Sequence, residues 1–427
     1  MTKTKNDIAW AKLFDKYNIL PHVKKHEYFE ITAAQINEFR EARLMTKFDH
    51  KSNLPQMFEQ NGLSILPVTR GSYIISNLKA YHKFENVKPE VKTIIFPDYI
   101  ETIDYENITS ESAAISCAYI TGILGNFIED EEILPTVFGR MSSGQFNFNI
   151  QNVAQGTNFT VNVQNSQIEI DAGYESLRYF TLIEAKNSLS DDFLVRQIYY
   201  PFRCWQSKIR KDIKNVYLTY SNGIFSLYEY QFREPSHYNS LFLVRQKNYT
   251  IDKGNIELED IKEILRTVQI VEEPRLQFPQ ANSFLRLINL CELLHESEVL
   301  TRDEITTMYD FANRQTNYYT DAARYLGLVD KAKNNDGEII YFLTDEGRDL
   351  FKLSLRARQL EFVRIILSYR VFNETLKLYL RAGIVPADEV VTIMKQSNLY
   401  NINSNDTFYR RASTVKKWIE WIIELTL

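Results

Sequence analysis

Asp171, Glu184 and Lys186 lie close together in one β-rich stretch of the chain, and residues of these types can hydrolyse phosphodiesters. Residues 168–171 alternate apolar and acidic side chains, and residues 179–185 form a second apolar run that leads into Lys186. This pattern predicts two neighbouring strands. Because side chains alternate between the faces of a strand, Glu184 and Lys186 are expected on one face, with Asp171 beside them on the adjacent strand.

Two converging carboxylates form a site for a hard cation. Mg²⁺ binds through one or two carboxylates and keeps water and phosphate oxygens as its other ligands. The Lys186 ammonium would then orient the attacking water, while the metal ion stabilises the extra negative charge of the transition state. The alternative is a solvated strand edge with an ordinary Glu/Lys ion pair, and these three residues alone do not separate the two interpretations.

The elements around the three residues must bring them together. A turn is expected at Ala172-Gly173, between the two strands. A helix is expected from about Ser190 to Ile209, because its apolar residues fall on one face. Gln197 lies near the first turns of that helix.

The residues with possible chemistry also resemble a known family. Five of them occur in the order found in the core of the PD-(D/E)xK nucleases: Asp171, Glu184, Lys186, Arg196 and Gln197. The phrases IEAKN and RQIYYPFRCW resemble type II restriction endonucleases in particular. The resemblance implies that Asp171 and Glu184 bind Mg²⁺ and that Lys186 is the catalytic lysine. It also implies that Gln197 lies near the metal ion or the scissile phosphate.

The first motif departs from the family's pattern. Asp171 follows an isoleucine, and the proline of the family name is missing. Glu169 and Glu175 are close enough in the sequence to take the role of Asp171, so the identity of the first metal ligand stays open at this point.

Composition sets wider bounds. The chain has 427 residues, of which 44% are hydrophobic and 25% charged, so two to four domains with real cores are expected in an α/β (α+β) multidomain protein. A net charge of −5 neither favours nor excludes a nucleic-acid partner. The sequence contains no apolar run of about 18 residues, so no membrane span is predicted. No signal peptide is evident. The three cysteines are widely separated, which argues against disulfides or zinc and predicts a cytoplasmic protein.

Residues 1–100 are expected to form an α/β unit of their own, with helices followed by short strands. The turns of this unit carry Arg43, Lys47 and Arg70. These cations either occupy ordinary surface turns or contact DNA, and the sequence leaves both interpretations open.

Residues 101–275 are expected to hold the nuclease-like core. Its first helix lies within residues 109–127 and is capped by Thr109 or Ser110, with Glu111 in the first turn. The resemblance implies that Glu111 faces the catalytic site. A favourable interaction with the helix dipole is the other explanation for a carboxylate in this position.

Residues 135–167 alternate apolar side chains with Asn, Gln, Thr and Ser. This pattern predicts an antiparallel hairpin inserted in the core, with one polar face. Its donors and acceptors suit the phosphates and base edges of DNA. Four DNA contacts are predicted here: Arg140, Ser142, Ser143 and Gln145. The alternative is an exposed ribbon whose polar face only meets water.

Residues 280–355 show a pattern of three helices, a β-hairpin and a further helix. The phrase ARYLGLVDKAKNNDGEIIYFLTDEGRDL resembles winged-helix domains. In such domains the third helix enters the major groove. The predicted DNA contacts at its start are Asn313, Arg314, Gln315 and Asn317.

Residues 356–427 are expected to be helical and to form a second winged-helix or helix-turn-helix unit. Arg410 and Arg411 lie on a basic helix and are predicted to pair with phosphates. A solvated charged face, or a contact with another protein, is the alternative.

Taken together, these features predict a Mg²⁺-dependent, sequence-specific endonuclease of double-stranded DNA, of the type II restriction kind. Cutting two antiparallel strands with one site per chain predicts a homodimer, and the resemblance implies a cognate DNA methyltransferase that protects the host. The first alternative is a nuclease of the same superfamily in repair or another defence system. The second is a winged-helix regulator with an inactive nuclease-like scaffold.

Overall fold

Strands dominate the first part of the chain and helices dominate the rest, in a mixed α/β multidomain architecture. The computed structural model describes residues 3–87, 89–130, 132–251, 254–309, 311 and 313–426. Over these ranges, no helix combines the length and the apolar character that crossing a bilayer requires.

A small α/β unit opens the chain. Its elements are α1 (Lys5–Lys16), α2 (Ile19–His26), β1 (Tyr28–Thr32), α3 (Ala33–Asn37), α4 (Ala42–Met45), α5 (Gln56–Asn61), β2 (Ser64–Pro67) and β3 (Ser72–Ser76). The strands form an antiparallel sheet in the order β1-β3-β2. Thr4 begins α1 with a capping box, which orients the helix so that Trp10 is fully buried against Phe58.

A second, larger unit is built on a mixed sheet. Its elements are β4 (Tyr81–Lys83), β5 (Val91–Thr93), α6 (Glu111–Ile120), α7 (Ile123–Ile128), β6 (Leu134–Ser142), β7 (Gln145–Asn152), β8 (Thr157–Gln164), β9 (Gln167–Glu175), β10 (Tyr179–Lys186), β11 (Asp192–Leu194), α8 (Arg196–Gln206), β12 (Asp212–Ser221), β13 (Ile224–Phe232) and β14 (Leu241–Thr250). The sheet has seven strands within the described residues, in the order β5-β14-β13-β12-β10-β9-β6. Because β5 belongs to it, the sheet begins before residue 101, where the core was expected to start.

The centre of this sheet is a parallel pair joined by a helix. β10 runs parallel to β12, and α8 makes the crossover between them. Alternation along β10 sends Ile183 and Ala185 into a core under α6 and α7, and Phe180 and Leu182 into the core under α8. Helices therefore cover both faces of the sheet at β10, and Lys186 lies at the end of that strand, where it is partly exposed.

The turn expected at Ala172-Gly173 is absent, because β9 continues to Glu175 and the chain turns at Ser176–Arg178 instead. The small residues serve close packing within the strand. A Cβ placed on Gly173 would lie 3.0 Å from the Cβ of Val137 and 3.2 Å from the ring of Phe180. The glycine was therefore a sign of crowding between strands rather than of a turn.

The helix after β10 is shorter than expected. It spans Arg196–Gln206, and the residues before it form β11, which pairs with β4. The polar segment before β9 is also divided in two. β6 joins the edge of the large sheet by pairing with β9, whereas β7 and β8 form the expected antiparallel hairpin.

A mostly helical unit follows. Its elements are α9 (Leu258–Thr267), α10 (Phe284–Ser297), β15 (Val299–Thr301), α11 (Arg302–Met308), α12 (Asn313–Tyr325), β16 (Val329–Lys333), β17 (Ile339–Leu343), α13 (Asp345–Leu350), α14 (Leu355–Leu367), α15 (Arg370–Ala382), α16 (Ala387–Lys395) and α17 (Asn405–Glu424). The three strands form one antiparallel sheet, in the order β15-β17-β16.

Within the described residues, the C-terminal part of this unit lacks the β-hairpin that a winged helix requires. Residues 344–426, all described, contain helices and no strand, so a second winged helix is wrong for residues 356–427, and the helix-turn-helix alternative stays a prediction. The physical reason lies in the packing of α17. Trp418 lies against Phe284 and Phe372, with ring centroids 5.0 Å apart in both pairs. Residues 284–422 therefore share one hydrophobic core.

Candidate active site

A local irregularity in β9 brings Asp171 to the site. Ladder pairing between β9 and β10 ends at the pair Ala172–Ile183. On its other side, β9 pairs with β6 at Ile170–Gly139 and at Gly173–Val137. Between these two pairs β9 advances by three residues and β6 by two, so the extra residue forms a β-bulge. The Asp171 carboxylate then replaces the missing ladder partner, because its Oδ2 accepts a hydrogen bond from the Ala185 backbone N–H at 2.8 Å.

Glu184 lies at the centre of the site and is only 8% exposed. Its Oε1 accepts one hydrogen bond from the Lys186 ammonium and one from the Gln197 side-chain amide, each at 2.6 Å. Gln197 reaches it from the first turn of α8. Burial, together with the nearby Asp171 charge, raises the pKa of Glu184 to about 8, although Lys186 opposes this shift.

Lys186 connects the carboxylates. Its ammonium also donates to the Ala185 carbonyl at 2.9 Å and lies 3.6 Å from Glu111 Oε1. Burial by itself lowers the pKa of Lys186, but the carboxylates of Glu184 and Glu111 outweigh it, and the pKa stands well above its ordinary value. The lysine is therefore a cation at neutral pH.

Glu111 belongs to the site, as the resemblance implied. Ser110 caps α6 by accepting from the Ala113 N–H, and this places Glu111 at the start of the helix, beside Lys186. Burial raises the pKa of Glu111, and Asp171 adds to the rise against the opposing charge of Lys186. Glu111 thus lies in the first turn of α6 and also beside the lysine, and its part in catalysis stays a prediction.

Three carboxyl groups surround one lysine, and burial together with the Asp171 charge raises the pKa of Glu184 and Glu111, so ionising all three would leave negative charge in excess. Asp171 and Glu184 are the two that can hold a cation together. The Gln197 Oε1 is buried without a hydrogen-bond partner, as the side chain is oriented here. No group of three or more His, Cys, Asp or Glu suited to a metal occurs in the described part of the chain. Two carboxylates, completed by water and phosphate oxygens, match Mg²⁺ better than a metal bound only by protein.

The carboxylates open onto a cleft of about 630 Å³ between the first two units. Four cations line it besides Lys186 and Arg140: Arg43, Lys47, Arg70 and Arg196. Arg43 and Arg70 are exposed and pair with no carboxylate of the described residues. Arg196 lies 5.5 Å from the centre of the Tyr200 ring. The first unit thus contributes unneutralised positive charge to a cleft whose floor is acidic.

The two alternatives to Asp171 each pair with a basic side chain, although Glu169 also lines the cleft. Glu169 is exposed and accepts from Arg140 Nε at 3.3 Å, on the neighbouring strand β6. Glu175 lies at the other end of β9 and pairs with Lys211 at 2.5 Å. Among the three acidic residues of β9, Asp171 is the one that faces Glu184.

The predicted contacts before and in the hairpin separate into exposed and buried residues. Arg140 and Gln145 are exposed, and Arg140 lines the cleft. Ser142 is exposed and donates to the Asn165 side chain at 3.1 Å. Ser143 is only 2% exposed, because its backbone N–H donates to Ser166 and its hydroxyl to Gly144. Ser143 supports the turn into β7, so its assignment as a DNA contact is wrong.

The predicted contacts in the last unit lie away from the cleft. Arg314 and Asn317 are exposed on α12 and Gln315 is half-buried, while the side chain of Asn313 lies outside the described set. Arg410 is exposed and donates to Thr407.

Arg411 is the second wrong assignment. It is only 4% exposed, and burial lowers its pKa to about 10. On α17, Arg411 lies on the side that packs into the core, next to Ala412 and Thr414, and Arg410 lies on the outer side. A phosphate could therefore reach Arg410 but not Arg411.

One contact beside the site was not foreseen. Asn289 of α10 donates to the Asn187 carbonyl at 2.8 Å and accepts from the Leu189 N–H at 3.2 Å. Glu292, one turn further, accepts from Ser221 at 2.7 Å and from the Asn222 N–H at 2.8 Å. The last unit is therefore fixed to the loop that follows Lys186. No sequence signal marks these pairs, since the partners lie far apart in the chain.

Three family models match consecutive parts of the chain, and each carries the description "domain of unknown function". DUF6996 matches residues 7–75, DUF6997 matches residues 76–250 and DUF7226 matches residues 286–427. No curated protein and no solved structure matches the chain. The boundary at residues 75 and 76 coincides with the end of β3, and the descriptions name no activity.

Proposed function

We propose that the chain is a Mg²⁺-dependent endonuclease that cleaves double-stranded DNA at specific sequences, of the type II restriction kind. One observation carries the proposal: the carboxylates of Asp171 and Glu184, the ammonium of Lys186 and the amide of Gln197 meet in one cleft. They come from two adjacent strands and the helix that follows, which is the order of a PD-(D/E)xK core. Glu111, from the first turn of α6, completes the group.

Asp171 and Glu184 are the residues that would hold Mg²⁺. The excess of carboxylates over lysine supports this assignment, because burial, and after it the Asp171 charge, raises the pKa of Glu184, and a divalent cation would favour the ionised form of both carboxylates. When bound, Mg²⁺ supplies Lewis-acid stabilisation of a phosphate and lowers the pKa of a water. The strand geometry suits metal binding by Asp171. The Ala185 N–H donates to one carboxylate oxygen, and the other oxygen does not share that hydrogen bond.

Lys186 acts in the proposal as a fixed positive charge. Its pKa well above the ordinary value keeps it protonated, so it donates hydrogen bonds and does not accept a proton. Glu111 and Glu184 hold its ammonium at the mouth of the site. From there it can orient a water and stabilise the charge that develops on the phosphate oxygens. Gln197 in turn keeps Glu184 in place by its hydrogen bond.

Positive charge around the cleft supports a nucleic-acid substrate. Arg43, Arg70 and Arg196 line the cleft beside the acidic floor. Arginines that lack a carboxylate partner are available for phosphates, which they bind in bidentate fashion. Binding through them would weaken as salt concentration rises, because it depends on the release of counterions from DNA.

The last unit supports recognition of a duplex. The order α10, β15, α11, α12, β16 and β17 is that of a winged helix, in which α12 takes the place of the recognition helix. Arg314 and Asn317 are exposed on it. A winged helix that only regulates transcription would not need the complete catalytic group in the neighbouring unit, which favours the nuclease.

The edge of the large sheet supports a homodimer. β6 is the last strand on its side, and Leu134 and Phe138 on it are 66% and 72% exposed. A second copy placed there would cover apolar surface and pair an open strand edge. Sedimentation of the wild type and of Phe138→Asp tests this part, since the substitution is expected to shift dimers to monomers.

Cleavage itself is the test of the proposal. The wild type and Lys186→Ala are incubated with several unmethylated phage DNAs in Mg²⁺ or in EDTA, and fragment ends are sequenced. Discrete fragments that need both Mg²⁺ and Lys186 support the proposal and define the site, and methylation of that site by a cognate enzyme is expected to block cleavage. Sequence-specific binding without any cleavage contradicts it and favours the regulator.

A further inference from the structure

The outer face of the β7–β8 hairpin consists almost entirely of amides. Its eight outward side chains form cross-strand pairs and carry no charge, and we call them the amide face: Gln145, Asn147, Asn149, Gln151, Asn158, Thr160, Asn162 and Gln164. The inward side chains Phe148, Ile150, Val161 and Val163 are buried in the core under α8. The hairpin is thus firmly attached on one side and polar on the other.

Folding does not account for this composition. Asparagine is depleted in strands, and four of the eight outward positions are asparagine. A strand face that only meets water is better served by threonine or lysine, which suit strands or repel aggregation. Charged residues make up 25% of the chain, yet none occurs on this face.

The amides are also available for a partner. Within the face, Thr160 donates to the Asn149 side chain at 2.9 Å. The side chains of Gln145, Asn147, Asn162 and Gln164 make no hydrogen bond within the described structure. Each presents a donor and an acceptor side by side, the pattern that pairs with the N6 and N7 edge of adenine. Uncharged amides attract phosphates weakly, so they suit reading of bases better than anchoring of the backbone.

The face begins at the rim of the cleft. The Gln164 N–H donates to the Val68 carbonyl at 2.8 Å, and the chain then passes through Ser166 and Gln167, which line the cleft. From there the strands extend over about 20 Å, since each residue advances about 3.3 Å, and the far end of the hairpin is hydrogen-bonded to residues 77–79. This length corresponds to roughly six base pairs. A two-stranded ribbon of this kind fits the major groove.

We propose that the amide face reads base edges in the major groove of duplex DNA whose backbone lies in the cleft. The proposal rests on the proposed function for the identity of its ligand. It assigns sequence discrimination to the hairpin, whereas Arg43, Arg70 and Arg196 hold phosphates. Gln145, already predicted as a DNA contact, is one member of this larger surface.

The test uses Asn147→Thr with Asn162→Thr, a directly opposed pair at the middle of the face. Threonine removes both amides and favours the strand, so the melting temperature is expected to stay equal or rise. Gln206→Ala is the matched control, because Gln206 is an exposed amide at the far end of α8. All variants also carry Lys186→Ala, and each selects sequences from a random duplex library.

The parent and the Gln206 control are expected to enrich one sequence. The threonine pair is expected to keep salt-dependent binding of mixed DNA and to lose about 10-fold or more in preference for each amide removed. Equal enrichment by the threonine pair and the control would overturn the proposal, as would a parent that enriches nothing. Should the pair lower the melting temperature, Asn147→Thr and Asn162→Thr are compared singly.

Cleavage by protein with Lys186 intact separates this proposal from the nuclease. If the wild type cleaves and the threonine pair cuts the same sites at the same rate, the amide face proposal fails alone. If the wild type never cleaves, while the parent enriches a sequence and the threonine pair does not, the amide face proposal stands and the nuclease fails.

Discussion

The two ends of the large sheet both bury ionisable side chains, but they treat charge differently. At the end where β10 and β12 begin, Glu229 is 1% exposed and Lys214 is 6% exposed. At the other end Glu184 is 8% exposed. Burial alone therefore does not distinguish a functional site from a structural one in this protein.

The end of the sheet with Glu229 and Lys214, which we call the balanced end, pairs its buried charges. Glu229 accepts from Arg245 Nε at 2.7 Å, and Arg245 also pairs with Glu129. Lys214 donates to the Ile128 carbonyl at 2.7 Å and lies 4.0 Å from the centre of the Tyr179 ring. Each buried charge at this end has an opposite charge, a carbonyl or a ring face beside it.

The candidate active site is unbalanced. Asp171, Glu184 and Glu111 share a single lysine, and the pKa of both glutamates is raised. Such an excess costs stability unless a cation relieves it. The comparison teaches that an uncompensated group of buried charges, rather than burial itself, is the mark of a site prepared for a ligand.

The largest expected effect is on catalysis. Lys186→Ala is expected to lower the rate of Mg²⁺-dependent cleavage by about 1,000-fold or more, because the fixed charge at the site is lost. Cleavage of a labelled duplex that contains the selected site measures this rate. Lys214→Ala, at the balanced end, is the control and should leave the rate per folded molecule unchanged. Equal losses in both variants would remove the distinction between the ends.

The balanced end is expected to respond through stability. Arg245→Met leaves the buried Glu229 carboxylate without its main partner and should lower the free energy of unfolding by about 3 kcal/mol. Denaturant unfolding measures the change. Cleavage by the folded fraction should persist, and a variant as stable as the wild type would show that this pair is not structural.

Magnesium should stabilise the protein only through the unbalanced end. At 100 times its dissociation constant, Mg²⁺ is expected to raise the free energy of unfolding by about 2.7 kcal/mol. Glu184→Gln should abolish this increment, and Glu229→Gln should keep it despite a lower starting stability. Thermal unfolding with and without Mg²⁺ checks both, and an increment that survives Glu184→Gln would place the cation elsewhere.

The last prediction concerns the pH dependence of stability in the presence of EDTA. The folded pKa of Glu184, about 8, exceeds its ordinary value of 4.5, so the folded protein binds this proton more tightly than the unfolded chain. This contribution to stability is complete below pH 4.5 and is lost as the pH rises towards 8, on the order of 5 kcal/mol at most. Unfolding midpoints from pH 5 to 9 should fall more steeply for the wild type than for Glu184→Gln, and parallel curves contradict the assignment.

The sequence predicted local features well. Thr301 begins α11 with a capping box, and the bounds of β16 and β17 agree with the pattern of the sequence. Glu184 and Lys186 lie on one face of β10 because strand alternation is a local rule. Strand alternation therefore sufficed to place Glu184 beside Lys186, whereas Gln197 was predicted only through the resemblance to the PD-(D/E)xK nucleases.

Long-range packing was beyond the sequence. Ala172-Gly173 looked like a turn because nothing in the chain shows that Val137 lies 3.0 Å from the position of a Gly173 Cβ. Arg411 and Ser143 looked like surface donors, since a polar residue gives no sign of which helix face or turn will be buried. The Asn289 contacts join residues from different units, and no periodicity links them.

Under the proposed function, the Asn289 contacts fix the distance between the DNA-contacting helix and the site of cleavage. α10 is hydrogen-bonded to the loop just after Lys186, so the distance between α12 and the scissile bond is set by this contact and not by the connecting chain. Cuts should then fall at one constant offset from the bases that α12 touches. Inserting residues into the connection between α9 and α10 would leave that offset unchanged.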